Sequence, residues 1–172
     1  VALTGSVSID GALDLVGDLI LEVDALAQNA EVTAENVSFK INNLLHVPQD
    51  FDMTNGRGDL HLIEAKLLRV EGGGGVGFAA IPLFTDVDTI EVATNGAANI
   101  FIIEVNGLEI GDVKIPGYLD QISGLTTGNG GDISVVNLAG ELLTSEVIDA
   151  KGGDILLVTD EIAIGAMMSD FC

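Results

Sequence analysis

The chain has 172 residues, 27 acidic side chains against 6 basic ones and a formal net charge of −21, yet 48% of it is hydrophobic. So few cations cannot replace the counterions displaced along a nucleic-acid footprint, which excludes nucleic acid as a partner, and the apolar content excludes generic disorder. No apolar run approaches the roughly 18 residues of a membrane helix, and a chain with no Trp and one Tyr lacks the aromatic girdles of an outer-membrane barrel.

Taken in chain order, the signals are those of short strands. The first is Gly17-Asp18-Leu19-Ile20-Leu21, followed by DALAQNA over 24–30, one of two stretches with helical character. HVPQDFDMTN at 46–55 interrupts the pattern and reads as a projecting loop, after which Gly58-Asp59-Leu60-His61-Leu62 restores it. GGGGVG at 72–77 supplies the positive-φ positions of tight turns. TIEVAT (89–94), NIFIIEV (99–105) and LEIGDVKI (108–115) then alternate apolar with polar residues at the two-residue period of a strand. GYLDQI at 117–122 is the second helical candidate and, like the first, is too short to carry a fold. The turn cluster TTGNGGD (126–132) and the strands GDISVV (131–136) and EIAIGA (161–166) complete the series.

One unit recurs: a small residue, Asp or Asn, then apolar, any residue, apolar. It places Asp or Asn at 18, 59, 99, 112, 132 and 154, and four of the five intervals lie near one or two multiples of about 20. The interval of 13 before Asp112 means either another side of the coil or an irregular coil. A period of about 20 with about three short strands predicts a parallel β-solenoid of eight or nine coils, a rod on the order of 40 Å long at the ~4.8 Å strand spacing. The alternative is an antiparallel β-sandwich, because Asn-Gly pairs at 55–56, 95–96 and 106–107 are strong hairpin signals.

Residues 86–158 read DVDTIEVATNGAANIFIIEVNGLEIGDV, then ISGLTTGNGGDISVV, then GELLTSEVIDAKGGDILLV. This stretch resembles the degenerate repeats of very large bacterial surface proteins of the filamentous haemagglutinin type, with their NG-(D/N)-I-x-I, GLxIG and GLTT-x-NGDI steps. Residues 1–85 fit loosely, through two Gly-Asp-Leu units. The resemblance implies a right-handed β-helix, bacterial and extracellular or at the cell surface. Its partners would be neighbouring repeats of the same chain, copies of itself, or a host or neighbouring-cell surface. The start VALTGSVSID, without Met, fits a single solenoid segment over 1–172 cut from a much longer chain.

Catalytic groups are sparse. The only histidines are His46 and His61, and His61 takes the outward position between Leu60 and Leu62. No catalytic or cofactor-binding residues are assigned, and no enzyme activity is expected. Carboxylate pairs such as Asp86 with Asp88 or Asp50 with Asp52 leave a carbohydrate-active β-helix enzyme, or a carbohydrate-binding module, as the alternative function. Hard oxygen ligands on Gly-rich turns also make Asp86, Asp88, Asp132 and Asp154 candidate Ca²⁺ ligands, the one ion considered as a cofactor. Arg57-Gly58-Asp59 spells an integrin-type adhesion tripeptide, although the repeat already requires Gly58-Asp59. Cys172 has no partner with which to close a disulfide in the chain. The expected function is a structural or adhesive segment of a large secreted or cell-surface repeat protein: a stalk, filament or envelope assembly.

Overall fold

The computed structural model describes residues 5–42, 45–46, 62–115, 122–165 and 168–169, with 45–46 and 168–169 described by backbone alone. Among the described residues there is no helix, hence none long and apolar enough to cross a membrane. The strands, in chain order, are β1 (Ser6–Ile9), β2 (Leu13–Asp14), β3 (Leu19–Val23), β4 (Ala25–Gln28), β5 (Val32–Thr33) and β6 (Asn36–Ile41). They continue with β7 (Leu45–His46), β8 (Ile63–Gly72), β9 (Leu83–Thr94), β10 (Ile100–Glu104), β11 (Leu108–Ile110) and β12 (Leu125–Thr126). The last six are β13 (Ile133–Asn137), β14 (Glu141–Thr144), β15 (Ile148–Asp149), β16 (Ile155–Val158), β17 (Glu161–Ile164) and β18 (Met168–Ser169).

Every pairing between these strands is parallel. β1, β4 and β7 form a three-stranded sheet, and the other fifteen strands form one large open sheet. Parallel neighbours cannot be joined by a tight hairpin, so the chain must leave each strand and return beside it. Ser6 faces Ala25 and Leu13 faces Val32 at intervals of 19 residues, and Leu19 faces Val37 at 18. Leu68 faces Ile90 at 22 and Ile90 faces Ile110 at 20. Two longer intervals, 31 from Val37 to Leu68 and 33 from Ile100 to Ile133, carry their extra residues between the paired strands.

These pairings overturn two expectations. The strands flanking Asn95-Gly96 do not form a hairpin, because Ile102 lies parallel to Leu83; Gly96, at φ 65°, redirects the chain without reversing it. The antiparallel sandwich therefore fails. The helical candidate at 24–30 contains β4 instead: Leu26 and Gln28 are buried while Ala25 and Ala27 are half-buried, a two-residue alternation paired with Ser6–Ile9. Four residues held by a neighbouring strand outweigh the propensity of an isolated helical turn. Residues 117–121 of the other helical candidate, the loop at 46–55 apart from the backbone of His46, and the Asn55-Gly56 pair lie outside the described residues.

Stacking places like residues over like. Leu19, Val37, Leu68, Ile90 and Ile110 form one buried column. Phe39, Val70, Val92, Leu125 and Ile148 form the next. Each fully buried aliphatic side chain contributes about 1.5–3 kcal/mol, which makes such columns the main source of cohesion.

The recurring unit is stacked in register at three of its six positions and has a steric basis at two of them. Ile100, Ile133 and Ile155 are in register, and the residues before them turn the same corner. A Cβ at Gly131 would stand 2.3 Å from the carbonyl oxygen of Ala98, and one at Gly153 would stand 2.3 Å from that of Gly131. Gly17-Asp18 precedes Leu19 in a different stack, and Gly111-Asp112 follows β11 outside any strand. The spacing of the stacked units is thus 33 and 22 residues, from Asn99 to Asp132 to Asp154.

Candidate functional site

At the corner before β10, β13 and β16, each side chain of the stack caps the next row. Asn99 Oδ1 accepts the backbone N–H of Asp132 at 2.8 Å, and Asp132 Oδ1 accepts that of Asp154 at 3.0 Å. Elsewhere an Asn amide from the following row donates to an Asp: Asn29 to Asp10 at 2.6 Å, Asn36 to Asp18 at 2.7 Å, Asn42 to Asp24 at 2.9 Å and Asn106 to Asp86 at 2.8 Å. At these four places a neutral donor stands where a second carboxylate would stack at the ~4.8 Å strand spacing, whereas Asp132 and Asp154 occupy successive rows. The bonds to Ser8 and Asn29 hold the Asp10 carboxyl below its ordinary range.

The four candidate calcium ligands fall in two places. Asp132 and Asp154 share the corner just described. Asp86 and Asp88 lie on β9 and line an open depression of about 480 Å³ together with Glu35, Glu64 and Lys66. In register Glu64 stands beside Asp86, while Lys66 Nζ pairs with Glu35 Oε1 at 3.2 Å, both side chains more than half exposed. Among the described residues no group of three or more His, Cys, Asp or Glu is placed to hold a metal ion. Arg57, Gly58, Asp59, His61, Asp50, Asp52 and Cys172 lie outside the described residues, and His46 is described only as backbone in β7.

Two interior carboxylates escaped the reading of motifs. Glu104 ends β10 at an inward position, continuing the column Val32, Ile63, Thr85, and is fully buried. Its Oε2 accepts the Thr85 hydroxyl at 2.7 Å and its Oε1 accepts the N–H groups of Val105 at 2.9 Å and Asn106 at 3.1 Å, with Val87 N–H at 3.3 Å from both oxygens. Burial pushes its pKa up to about 7 against the pull of the Asn106 N–H, the Thr85 hydroxyl and the Val87 N–H, and the Asp86 charge adds to the rise. The signal was parity: in NIFIIEV, Ile100, Ile102 and Glu104 share one face.

The second is Glu91, 1% exposed beside Arg69, which is also 1% exposed. Ser38, Arg69 and Glu91 are adjacent across β6, β8 and β9, and Arg69 Nε lies 3.2 Å from Glu91 Oε1 while its Nη2 reaches Glu71 Oε2 at 3.3 Å. The irregular segment at 111–115 covers the pair: the Val113 N–H donates to Glu91 Oε2 at 3.2 Å, and Val113 and Ile115 are buried. This settles the place of Asp112, which belongs to the cover and not to the corner stack. Burial raises the Glu91 pKa to about 7, opposed by the Val113 N–H and by Arg69.

In comparisons with known proteins, no family model, no curated protein and no solved structure matches the chain.

Proposed function

We propose that the chain is a segment of a right-handed parallel β-solenoid and serves as a stalk, filament or envelope-assembly element of a large bacterial secreted or cell-surface repeat protein. The observation that carries this reading is the parallel register: successive rows return at intervals near 20 residues with their columns and corner bonds aligned. Such a body transmits shape along one axis and needs no reacting groups. The apolar columns also remain open at the last described row: Ile162 and Ile164, in register with the buried Leu142 and Thr144, are 44% and 58% exposed. A further row, from a neighbouring repeat or another copy, would continue them. The resemblance of residues 86–158 to haemagglutinin-type repeats adds the cell surface and adhesion to the reading.

The test is made on the native material. Protease treatment of intact cells should remove the segment, and electron micrographs should place it within fibres or stalks. A protease-protected chain seen only as isolated globules overturns the proposal. The depression lined by Glu35, Glu64, Asp86 and Asp88 favours a second reading, a carbohydrate-binding or carbohydrate-cleaving face. Under that reading Glu64→Gln with Asp86→Asn abolishes oligosaccharide binding, whereas a stalk is indifferent to both changes.

A further inference from the structure

The outer side of β10, β13 and β16 differs from the rest of this acidic surface. Residues that alternate with the buried ones there form two in-register columns, Ile103, Val136 and Val158 beside Phe101, Ser134 and Leu156, and the first column ends at β9 on Phe84, which is buried. Leu156 and Val158 are 55% and 45% exposed. No charged residue occurs within 72–85, 97–103, 133–140 or 155–159. At the β9 edge of this face Phe78 and Ile81 exchange N–H···O bonds of 2.9 and 3.0 Å, so that Phe78-Ala79-Ala80-Ile81 forms an uncharged knob with both alanines exposed.

We propose that this face is a self-association surface whose occupant is a second copy of this chain. Charge selects the occupant. Two bodies of net charge −21 repel wherever acidic flanks meet, and a charge-free face lets them approach without burying a carboxylate. A copy also brings a second uncharged sheet, suited to face-to-face packing at ~10 Å, and a second knob to lie against the first copy's rows. Nucleic acid and anionic lipid would meet the acidic flanks instead. Four rows of about five residues span on the order of 300 Å² of sheet, below the ~800 Å² per partner of a standard stable interface. A lone pair of chains is therefore a weak dimer, and repeated faces along a filament supply avidity. The filament setting rests on the function proposed above; the pairing of the faces does not.

Sedimentation velocity on the full chain, from about 1 to about 300 µM, gives the test. The expected result is a concentration-dependent shift toward dimer that strengthens with sodium chloride, because salt screens the repulsion and leaves the apolar contact. Leu156→Asp weakens the association at least tenfold. So does Leu138→Asp, at a position 57% exposed just beyond β13, which keeps the test valid should the first variant alter the circular dichroism. Val16→Asp, at an exposed apolar residue beside the acidic depression, changes nothing. A monomer throughout, equal weakening by Val16→Asp, or Leu156-dependent binding to neutral phosphatidylcholine vesicles without dimerisation overturns the proposal. Small-angle scattering on the same samples reports whether the particle is elongated, so a failed dimer leaves the solenoid reading to be judged separately.

Discussion

Glu104 shows how one residue can set the pH response of a stacked-strand protein. It accepts three backbone N–H groups and a hydroxyl in the interior, yet burial dominates and its pKa rises to about 7. A carboxyl raised in the folded state binds its proton there while the unfolded chain, at an ordinary value of 4.5, has released it. Folding stability from this group is thus full below about 4.5 and is lost as pH rises through about 7, a change of roughly 3 kcal/mol. Glu91 works in the same direction. The chain is expected to melt at a lower temperature at pH 7.5 than at pH 5. Glu104→Gln, which imitates the protonated acid, should remove about half of that slope, as read by thermal melts across the range. An unchanged slope would place the titration elsewhere. The parity of NIFIIEV made the inward position of Glu104 legible in the sequence; its acceptor set was not, because Thr85, Val87 and Asn106 arrive from two rows.

At the scale of elements, β8 and β9 carry a polar seam that alternation alone does not foresee. Leu68, Arg69 and Val70 are all buried, as are Ile90, Glu91 and Val92, so both sides of these strands are covered. The inner side meets the apolar columns, and the outer side lies beneath Val113 and Ile115. The sequence read LEIGDVKI as one continuing strand, but only Leu108–Ile110 is paired; the remainder leaves the sheet to cover Glu91. A covering segment has no period of its own, which is why its destination was not legible. Arg69→Ala should remove both the counter-charge and the packing that Arg69 gives Glu91 and cost about 3–5 kcal/mol in urea denaturation near pH 7.5. The loss should shrink at pH 5, where Glu91 is protonated. Arg69→Met with Glu91→Leu should recover most of it, since a buried ion pair replaced by apolar groups of similar size is often near neutral. A double variant as unstable as the single one would mean that the pair also positions the 111–115 cover.

Over the whole molecule, the apolar content and the charge of −21 are separated in space. Columns of Leu, Ile, Val and Phe occupy the inward positions, while, apart from the buried Glu91 and Glu104, Asp and Glu stand at corners and on outer rows, many bonded to Asn amides or backbone N–H groups. That division was legible as short alternating strands between Gly-Asp turns. The row spacing was legible only in part, since the Asp112 unit broke a true interval of 33 into 13 and 20. Self-repulsion that remains after these local bonds is long-ranged, and salt acts on it: the Debye length falls from about 10 Å at 0.1 M to about 3 Å at 1 M. The melting temperature should therefore rise with sodium chloride. Calcium chloride at matched ionic strength should raise it no further, because Asp132 is already bonded within its corner and Asp86 is bonded to Asn106. A calcium-specific gain of several degrees, lost in Asp86→Asn with Asp88→Asn or in Asp132→Asn with Asp154→Asn, would identify which pair of aspartates holds the ion.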